Sequence, residues 1–195
     1  MAVVLAHMGG ADDDQSQWFE TAGLLADHGY RAMTYNRRGI CPGGDQGCSE
    51  GFEDEDGWKD LAGAVGFLRD RGVAAVVIGG ASLGAMEAMY VAGQRAPEVD
   101  GLIWVAGAQG YGTIDLAELA PRVEGPKLFL CGEFDQDLGE VAGTLHRTAR
   151  EPKELVLLDT GEHGTDIPGF EDPPVADRFR QAVIDFLDEH FAQQT

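Results

Sequence analysis

The chain has 195 residues, which is enough for one domain with a sizeable core, and we expect a single domain over residues 1–195. Its formal net charge is −20, and so negative a surface repels nucleic acid and anionic membranes. No stretch reaches the roughly 18–20 continuous apolar residues of a membrane span. These properties exclude nucleic acid and membrane as expected partners and leave a small molecule, with the protein a monomer or homodimer.

No signal peptide precedes the first apolar run, which begins at Ala2. As written, the chain is expected to be cytoplasmic. If an upstream segment was removed, an export signal would have gone with it, and the protein would then be secreted. Localisation therefore stays open at this point.

Short apolar runs alternate with amphipathic stretches along the whole chain. The predicted strands are 2–6, 30–35, 73–79, 101–106, 127–131 and 154–158. The predicted helices are 17–28, 58–71, 83–95, 138–150 and 175–191. This alternation predicts a three-layer α/β fold with a minimal, mostly parallel six-stranded sheet and helices on both faces. Residues 107–126 are too few for a helical lid, so we expect no lid domain.

The first predicted strand ends in the sequence His7-Met8-Gly9-Gly10, which is followed by three aspartates at positions 12–14. A glycine-rich loop at this place can cradle a phosphate at a helix N-terminus. Three adjacent carboxylates would repel that phosphate. The loop therefore speaks against a nucleotide-binding protein.

The second predicted strand leads into an acidic, glycine-rich segment, residues 39–57, that contains Cys41 and Cys48. In an oxidising compartment these two cysteines could form a disulfide across a short loop. A metal site is less favoured, because no histidine or further cysteine lies near them in sequence. The third cysteine, Cys131, lies in an apolar run and is predicted to be a buried, inert thiol.

The third predicted strand runs directly into Gly80-Ala81-Ser82-Leu83-Gly84, a match to the G-x-S-x-G pattern. An apolar, β-branched stretch precedes the pattern and a helical stretch follows it. Such a strand–turn–helix arrangement lifts the serine onto a strained tip at positive φ, with glycines leaving room for the crowded backbone. We therefore predict that Ser82 is a nucleophile.

A serine hydroxyl needs a base, and the base needs an orienting carboxylate. Asp135 follows the fifth predicted strand, and His163 follows the sixth. The carboxyl ends of parallel strands share one crevice, so these side chains can meet Ser82 despite their separation in sequence. Glu133 and Asp137 compete with Asp135 for the acid role. Two backbone N–H groups would complete the site as an oxyanion hole, that of Leu83 and that of Gly9, with Met8 as the alternative.

These motifs resemble the α/β-hydrolase superfamily, close to small lidless bacterial esterases and dienelactone-hydrolase-like proteins. The resemblance extends over nearly the whole chain: residues 7–9 followed by Trp18-Phe19, the turn at 35–39, the elbow at 80–84, residues 132–135, and His163-Gly164. It departs from the usual pattern at Met8, where glycine is usual, and at Asn36, where aspartate is usual. The two N-terminal strands common in larger members are also missing.

The resemblance implies hydrolysis of an ester through an acyl-serine intermediate, without cofactor or metal. The same triad could instead cleave a thioester, a lactone or a peptide. A different class of function, an inactive hydrolase-fold module that only binds, stays open as well. Near the elbow, Met86, Trp104 and Tyr111 are candidates for an apolar wall of a shallow site.

Overall fold

Six parallel strands form the central sheet of the computed structural model, which describes residues 1–10, 12–41, 56–94, 98–169 and 171–192. The strands are β1 (Ala2–Ala6), β2 (Arg31–Thr34), β3 (Val76–Ala81), β4 (Gly101–Val105), β7 (Lys127–Gly132) and β8 (Lys153–Leu158). Their order in the sheet is β2-β1-β3-β4-β7-β8. Two further strands, β5 (Gly110–Tyr111) and β6 (Ile114–Asp115), form a small antiparallel pair.

Helices cover both faces of the sheet. They are α1 (Phe19–Asp27), α2 (Trp58–Arg69), α3 (Leu83–Gln94), α4 (Leu116–Leu119), α5 (Leu138–Thr148) and α6 (Pro173–Phe191). Crossovers between parallel strands are right-handed, so α1, which leads back from β1 to β2, lies on the face opposite α2, α3 and α5. Helix α6 packs against α1 and completes that layer. The predicted three-layer α/β architecture is confirmed.

The strand bounds follow the prediction closely except in β3, which begins at Val76 rather than at position 73. The segment before it is held by Arg69, whose guanidinium donates to the carbonyls of Val73 and Ala74 at 3.1 and 2.6 Å. Pairing starts only at Val76, whose register partner on β1 is Ala2. Apolar residues alone did not show where the hydrogen-bonded ladder begins.

The segment between β4 and β7 contains β5, β6, α4 and a short 3₁₀ turn at Ala120–Arg122. Sequence analysis missed these elements, because strands of two residues are too short to show an alternation of apolar and polar residues. The segment is described throughout, and it forms no lid domain.

The order of the strands places a crevice at the carboxyl ends of β1 and β3. From β1 the chain turns to β2 on one side, whereas from β3 it turns to β4 on the other, so the loops diverge there. Ala6, the last residue of β1, pairs with Gly80 near the end of β3. The loop that follows His7 and the turn that carries Ser82 are therefore neighbours at this crevice.

Within the described ranges, no helix is long and apolar enough to cross a membrane. Cys131 is a free thiol in the core, where burial raises its pKa to about 12 and leaves it protonated at neutral pH. Of the proposed disulfide pair, Cys48 lies outside the described residues, so the bridge to Cys41 stays a prediction.

Candidate active site

Ser82 occupies the turn between β3 and α3 with a φ of 53°, a left-handed conformation that is uncommon for a serine. Its N–H donates to the Val105 carbonyl on the neighbouring strand at 2.9 Å. Its own carbonyl accepts from the N–H groups of Ala85 and Met86 at 3.0 and 3.2 Å, which begins α3. Strand pairing on one side and the helix on the other therefore hold the residue in this conformation.

Two glycines make this turn possible. A Cβ atom built on Gly80 would lie 2.3 Å from the carbonyl carbon and oxygen of Gly84. A Cβ atom built on Gly84 would lie 2.4 Å from the Ala6 carbonyl oxygen and 2.7 Å from that of His7. No side chain fits at either position, because the first turn of α3 presses against β3 and against the end of β1.

Asp135 and His163 meet at the carboxyl ends of β7 and β8. The His163 Nδ1 atom lies 2.7 Å from Asp135 Oδ2, which is the distance of a strong hydrogen bond. Asp135 is 3% exposed, whereas both alternative acids, Glu133 and Asp137, are exposed. The structure therefore brings Asp135, and neither alternative acid, to the histidine.

The loop that carries His163 also contacts the neighbourhood of Ser82. A Cβ atom built on Gly164 would lie 3.3 Å from the Cβ of Ala81, the residue before the serine. Within the described part of the chain, no hydrogen bond joins Ser82 to His163. The Asp135–His163 pair is thus formed, and the serine follows β3, which β4 separates from β7 in the sheet. The Ser82–His163 bond stays a prediction.

Gly9 and Leu83, whose backbone N–H groups are predicted to bind an oxyanion, lie in contact. A Cβ atom built on Gly9 would lie 2.6 Å from Leu83 Cδ2, so the two residues are in direct contact. Among the described residues, neither N–H donates to a protein acceptor. The Met8 N–H is occupied, because it donates to Gln17 Oε1 at 3.1 Å. This geometry favours Gly9 over Met8 as the partner of Leu83.

Met8, which stands where glycine is usual, joins two loops of the site. Its side chain is 9% exposed, and its sulfur accepts from the Thr165 N–H at 3.5 Å. A Cβ atom on Gly164 would lie 2.5 Å from the same sulfur, and Gly164 has a φ of 55°. The thioether therefore packs the loop after β1 against the loop that carries His163.

A buried ion pair that sequence analysis did not identify fixes the loop after β1. The Arg37 guanidinium donates to both oxygens of Glu87, at 2.7 and 2.9 Å. It also donates to the carbonyls of His7 and Met8, at 2.6 and 2.9 Å. Arg37 is 6% and Glu87 0% exposed. Because Glu87 lies on α3, the pair links the helix that follows Ser82 to the candidate oxyanion loop.

His7 is held in this cluster as a neutral ring. Its Nε2 accepts from the Arg37 backbone N–H at 3.2 Å, so Nδ1 carries the proton and donates to the Met8 carbonyl at 2.7 Å. Protonation of Nε2 would place two donors face to face. Burial of the ring, followed by the adjacent Arg37 charge, lowers the pKa of His7 from 6.5 to about 4.

This shift predicts an acid-sensitive contribution to stability. Between pH 6.5 and about 4 the unfolded chain binds a proton at His7 that the folded chain does not, so acidification across this window destabilises the fold. We expect a loss on the order of 3 kcal/mol in the free energy of unfolding. Urea denaturation of wild type and His7→Gln at several pH values isolates the contribution of His7, because the other titrating groups are common to both proteins. Parallel pH profiles would contradict the expectation.

The predicted apolar wall is only partly supported. Trp104 is fully buried in β4 and packs against Phe129 with ring centroids 5.9 Å apart, so it belongs to the core and lines no open site. Tyr111 is 4% exposed and contacts the ring of Tyr90. Met86, in the first turn of α3, is half-buried. The hydrophobic periodicity of the sequence does not show whether an aromatic residue faces the core or the site.

Among the described residues, one group of side chains could ligate a metal: Glu154, Glu189 and His190, whose donor atoms lie within 4.8 Å of one another. It joins the start of β8 to the end of α6, at the edge of the sheet opposite Ser82. Glu154 Oε1 already pairs with His190 Nε2 at 3.2 Å. The candidate active site itself is built from a serine, a histidine, a carboxylate and backbone amides.

Comparison with known proteins gives structural relatives but no sequence family. No family model matches the sequence, and no curated protein matches it. Among solved structures, MenH from S. aureus is similar with a TM-score of 0.77 and 14% identity, over 97% of this chain and 94% of that one. Dienelactone hydrolase from Anabaena variabilis has a TM-score of 0.76 and 18% identity, over 97% of this chain and 87% of that one. The enol-lactonase from Burkholderia xenovorans has a TM-score of 0.72 and 17% identity, over 95% and 91%.

Proposed function

Because the chain has the α/β-hydrolase fold, we propose that it is a serine hydrolase that cleaves carboxylic esters with short acyl chains. One observation carries the proposal: the 2.7 Å hydrogen bond between His163 and a buried Asp135, with the His163 loop in contact with Ala81, the residue before the strained Ser82. A solvated histidine and an ordinary turn aspartate would have no reason to pair at this edge of the sheet. Esterases and lactonases among the structural relatives agree with this reaction class.

In the proposed acylation step, Ser82 Oγ attacks the ester carbonyl carbon and His163 Nε2 accepts the hydroxyl proton. Asp135 holds the proton on Nδ1, which leaves Nε2 as the base, and it stabilises the imidazolium that forms. The carbonyl oxygen gains a negative charge, which the N–H groups of Gly9 and Leu83 bind. When the tetrahedral intermediate collapses, the alcohol leaves with the proton from His163.

Deacylation repeats the sequence with water as the nucleophile. His163 takes a proton from the water, whose oxygen attacks the acyl carbon of the Ser82 ester. The second tetrahedral intermediate uses the same two N–H donors. Its collapse releases the carboxylic acid and returns the proton to Ser82, so side chains and backbone amides of this chain supply every group that the reaction needs.

The short-acyl preference rests on the segment between β4 and β7. Many lipases cover their site with a helical lid inserted there, whereas this chain has the β5–β6 pair, a four-residue helix and a 3₁₀ turn. Within the described part of the chain, a site without a lid from this segment offers little apolar surface to a long acyl chain. We therefore expect no activation at a lipid interface.

A series of p-nitrophenyl esters of increasing acyl length tests both parts of the proposal. We expect kcat/KM to be highest for acetate to butyrate esters and to fall for longer chains. A fluorophosphonate probe, which reacts with activated serines, should label the wild-type protein and Ser16→Ala but not Ser82→Ala. Ser16 is exposed and lies on the 3₁₀ turn before α1, so it is a matched control.

Three results would contradict the proposal. Labelling or turnover that persists in Ser82→Ala would remove the serine from the reaction. A rate that rises sharply above the solubility limit of a long-chain ester would refute the expected absence of activation at a lipid interface. Hydrolysis of a thioester or peptide, with no turnover of any oxygen ester, would agree with the proposed triad but contradict the proposed substrate class.

A further inference from the structure

The loop that carries His163 starts far from Ser82. His163 follows β8, the edge strand, whereas Ser82 follows β3, and β4 and β7 lie between these two strands. Three strand spacings of about 4.8 Å separate β8 from β3, which gives about 14 Å. Catalytic groups have to be held to within about 0.5 Å. A loop anchored at so distant a strand needs a second contact, close to the serine, to place its histidine.

Gly164, the residue after His163, makes a contact of this kind. A Cβ atom built on Gly164 would lie 2.5 Å from the Met8 sulfur and 3.3 Å from the Cβ of Ala81. Gly164 therefore lies between the loop after β1 and the residue that precedes Ser82, with no room for a side chain. Its φ of 55° is a conformation that glycine adopts without strain.

Met8 also holds the residue that follows. Thr165 lies in the first turn of a short 3₁₀ helix, Gly164–Asp166, where a backbone N–H has no acceptor within the helix. The Met8 sulfur accepts from this N–H at 3.5 Å. The Met8 side chain is buried, so the thioether provides both a packing surface and a hydrogen-bond acceptor for the His163 loop.

The backbone of Met8 is held on both sides, so its side chain extends from a fixed base. Its N–H donates to Gln17 Oε1 at 3.1 Å. Its carbonyl accepts from the Arg37 guanidinium and from His7 Nδ1, at 2.9 and 2.7 Å. Arg37 is in turn buried against Glu87. Displacing Met8 would break these bonds, so the thioether is a rigid support for the loop that it contacts.

The His163 ring depends on this support. Among the described residues, the ring forms one hydrogen bond, from Nδ1 to Asp135 Oδ2 at 2.7 Å, and its side chain is 36% exposed. One hydrogen bond lets the ring pivot whenever the backbone of its loop moves. The backbone position at His163 and Gly164 therefore decides where Nε2 lies relative to Ser82 Oγ.

We propose that Met8 is a positioning residue, which holds His163 Nε2 within reach of Ser82 Oγ through its contacts with Gly164 and Thr165. This inference rests on the proposed esterase function, because it assigns a further residue to the same reaction. Met8 acts through His163, and its buried side chain touches no substrate.

Met8→Ala tests the inference by removing the thioether. We expect kcat for p-nitrophenyl butyrate to fall about 10²-fold, which is the cost of misplacing a catalytic group by about 1 Å, with KM unchanged. Met33→Ala is the matched control, because Met33 is a half-buried methionine on β2 that packs against the core. It should lower the melting temperature and leave kcat unchanged.

The same substitution in a His163→Ala background separates positioning of the base from any effect on the oxyanion hole. The hole still accelerates hydrolysis when the histidine is absent. If Met8 acts through His163, Met8→Ala should leave the residual rate of His163→Ala unchanged. A residue that shaped the neighbouring Gly9 N–H would lower that residual rate as well.

Met8→Leu keeps the test decisive if Met8→Ala does not fold. Leucine keeps most of the side-chain volume but offers no acceptor to the Thr165 N–H, so kcat should fall several-fold with KM unchanged. Wild-type kcat in the folded Met8 variants would overturn the inference while leaving the esterase proposal intact. So would a rise in KM alone, an equal fall in Met33→Ala, or an equal fall with and without His163. Absence of wild-type turnover above the Ser82→Ala background would refute both proposals.

Discussion

Replacing Ser82 with alanine is expected to lower kcat for short-chain esters at least about 10³-fold while leaving the protein folded. His163→Ala should cost a similar factor, and the double variant should be no worse than either single variant, because the two residues act as a unit. Asp135→Asn should cost less, since the nucleophile and the oxyanion donors remain. Steady-state kinetics of the four variants, with thermal melting to confirm folding, measures these effects.

Ser82→Gly separates loss of chemistry from loss of structure. Glycine adopts a φ of 53° without strain, whereas serine at this position stores strain of order 1–3 kcal/mol. The glycine variant should therefore be inactive and melt at or above the wild-type temperature. Turnover near wild type in either Ser82 variant would remove the residue from catalysis, and a lower melting temperature for the glycine variant would show that the turn is not strained.

The sheet and the loops of the site could be predicted because they depend on local patterns. The apolar run of β3 and the glycines at 80 and 84 specify a strand that turns sharply into a helix, and Asp135 and His163 each follow a strand. Parallel topology then brings these loops to one edge. In the structure, the hydrogen bond between Asp135 and His163 is formed. The chemistry of the site remains a proposal.

The supporting contacts could not be predicted, because they join residues far apart in sequence. Nothing local distinguishes the buried Arg37 from the exposed Arg38 beside it. The Gln17 side chain accepts a hydrogen bond from the Met8 N–H. A turn places it there, and the hydrophobic periodicity of the sequence does not predict the geometry of that turn. One signal was available: Glu87 is the only charged residue of α3 (LGAMEAMYVAGQ), and a lone carboxylate in an otherwise apolar helix indicates a buried partner.

Removing the Glu87 carboxylate is expected to have the largest effect on stability. Glu87→Ala leaves the Arg37 guanidinium buried without its counter-ion, which should cost about 3–5 kcal/mol in the free energy of unfolding. The more exposed pair Arg38–Asp60 is a matched control, with side chains 43% and 16% exposed and an N–O distance of 2.7 Å. Asp60→Ala should cost about 1 kcal/mol or less. Urea denaturation of the two variants gives both values.

A double variant, Arg37→Met/Glu87→Met, distinguishes a stabilising role of this pair from a positioning role. Apolar replacement of both charges avoids the buried unpaired ion, so the double variant should recover much of the stability that Glu87→Ala loses. It nevertheless lacks the donors that hold the His7 and Met8 carbonyls, and the neighbouring Gly9 N–H would lose its fixed direction. Ester turnover should then stay low with kcat reduced more than KM is raised, because a misplaced oxyanion donor weakens the transition state rather than substrate binding. Full recovery of kcat together with stability would show that the ion pair only stabilises the fold.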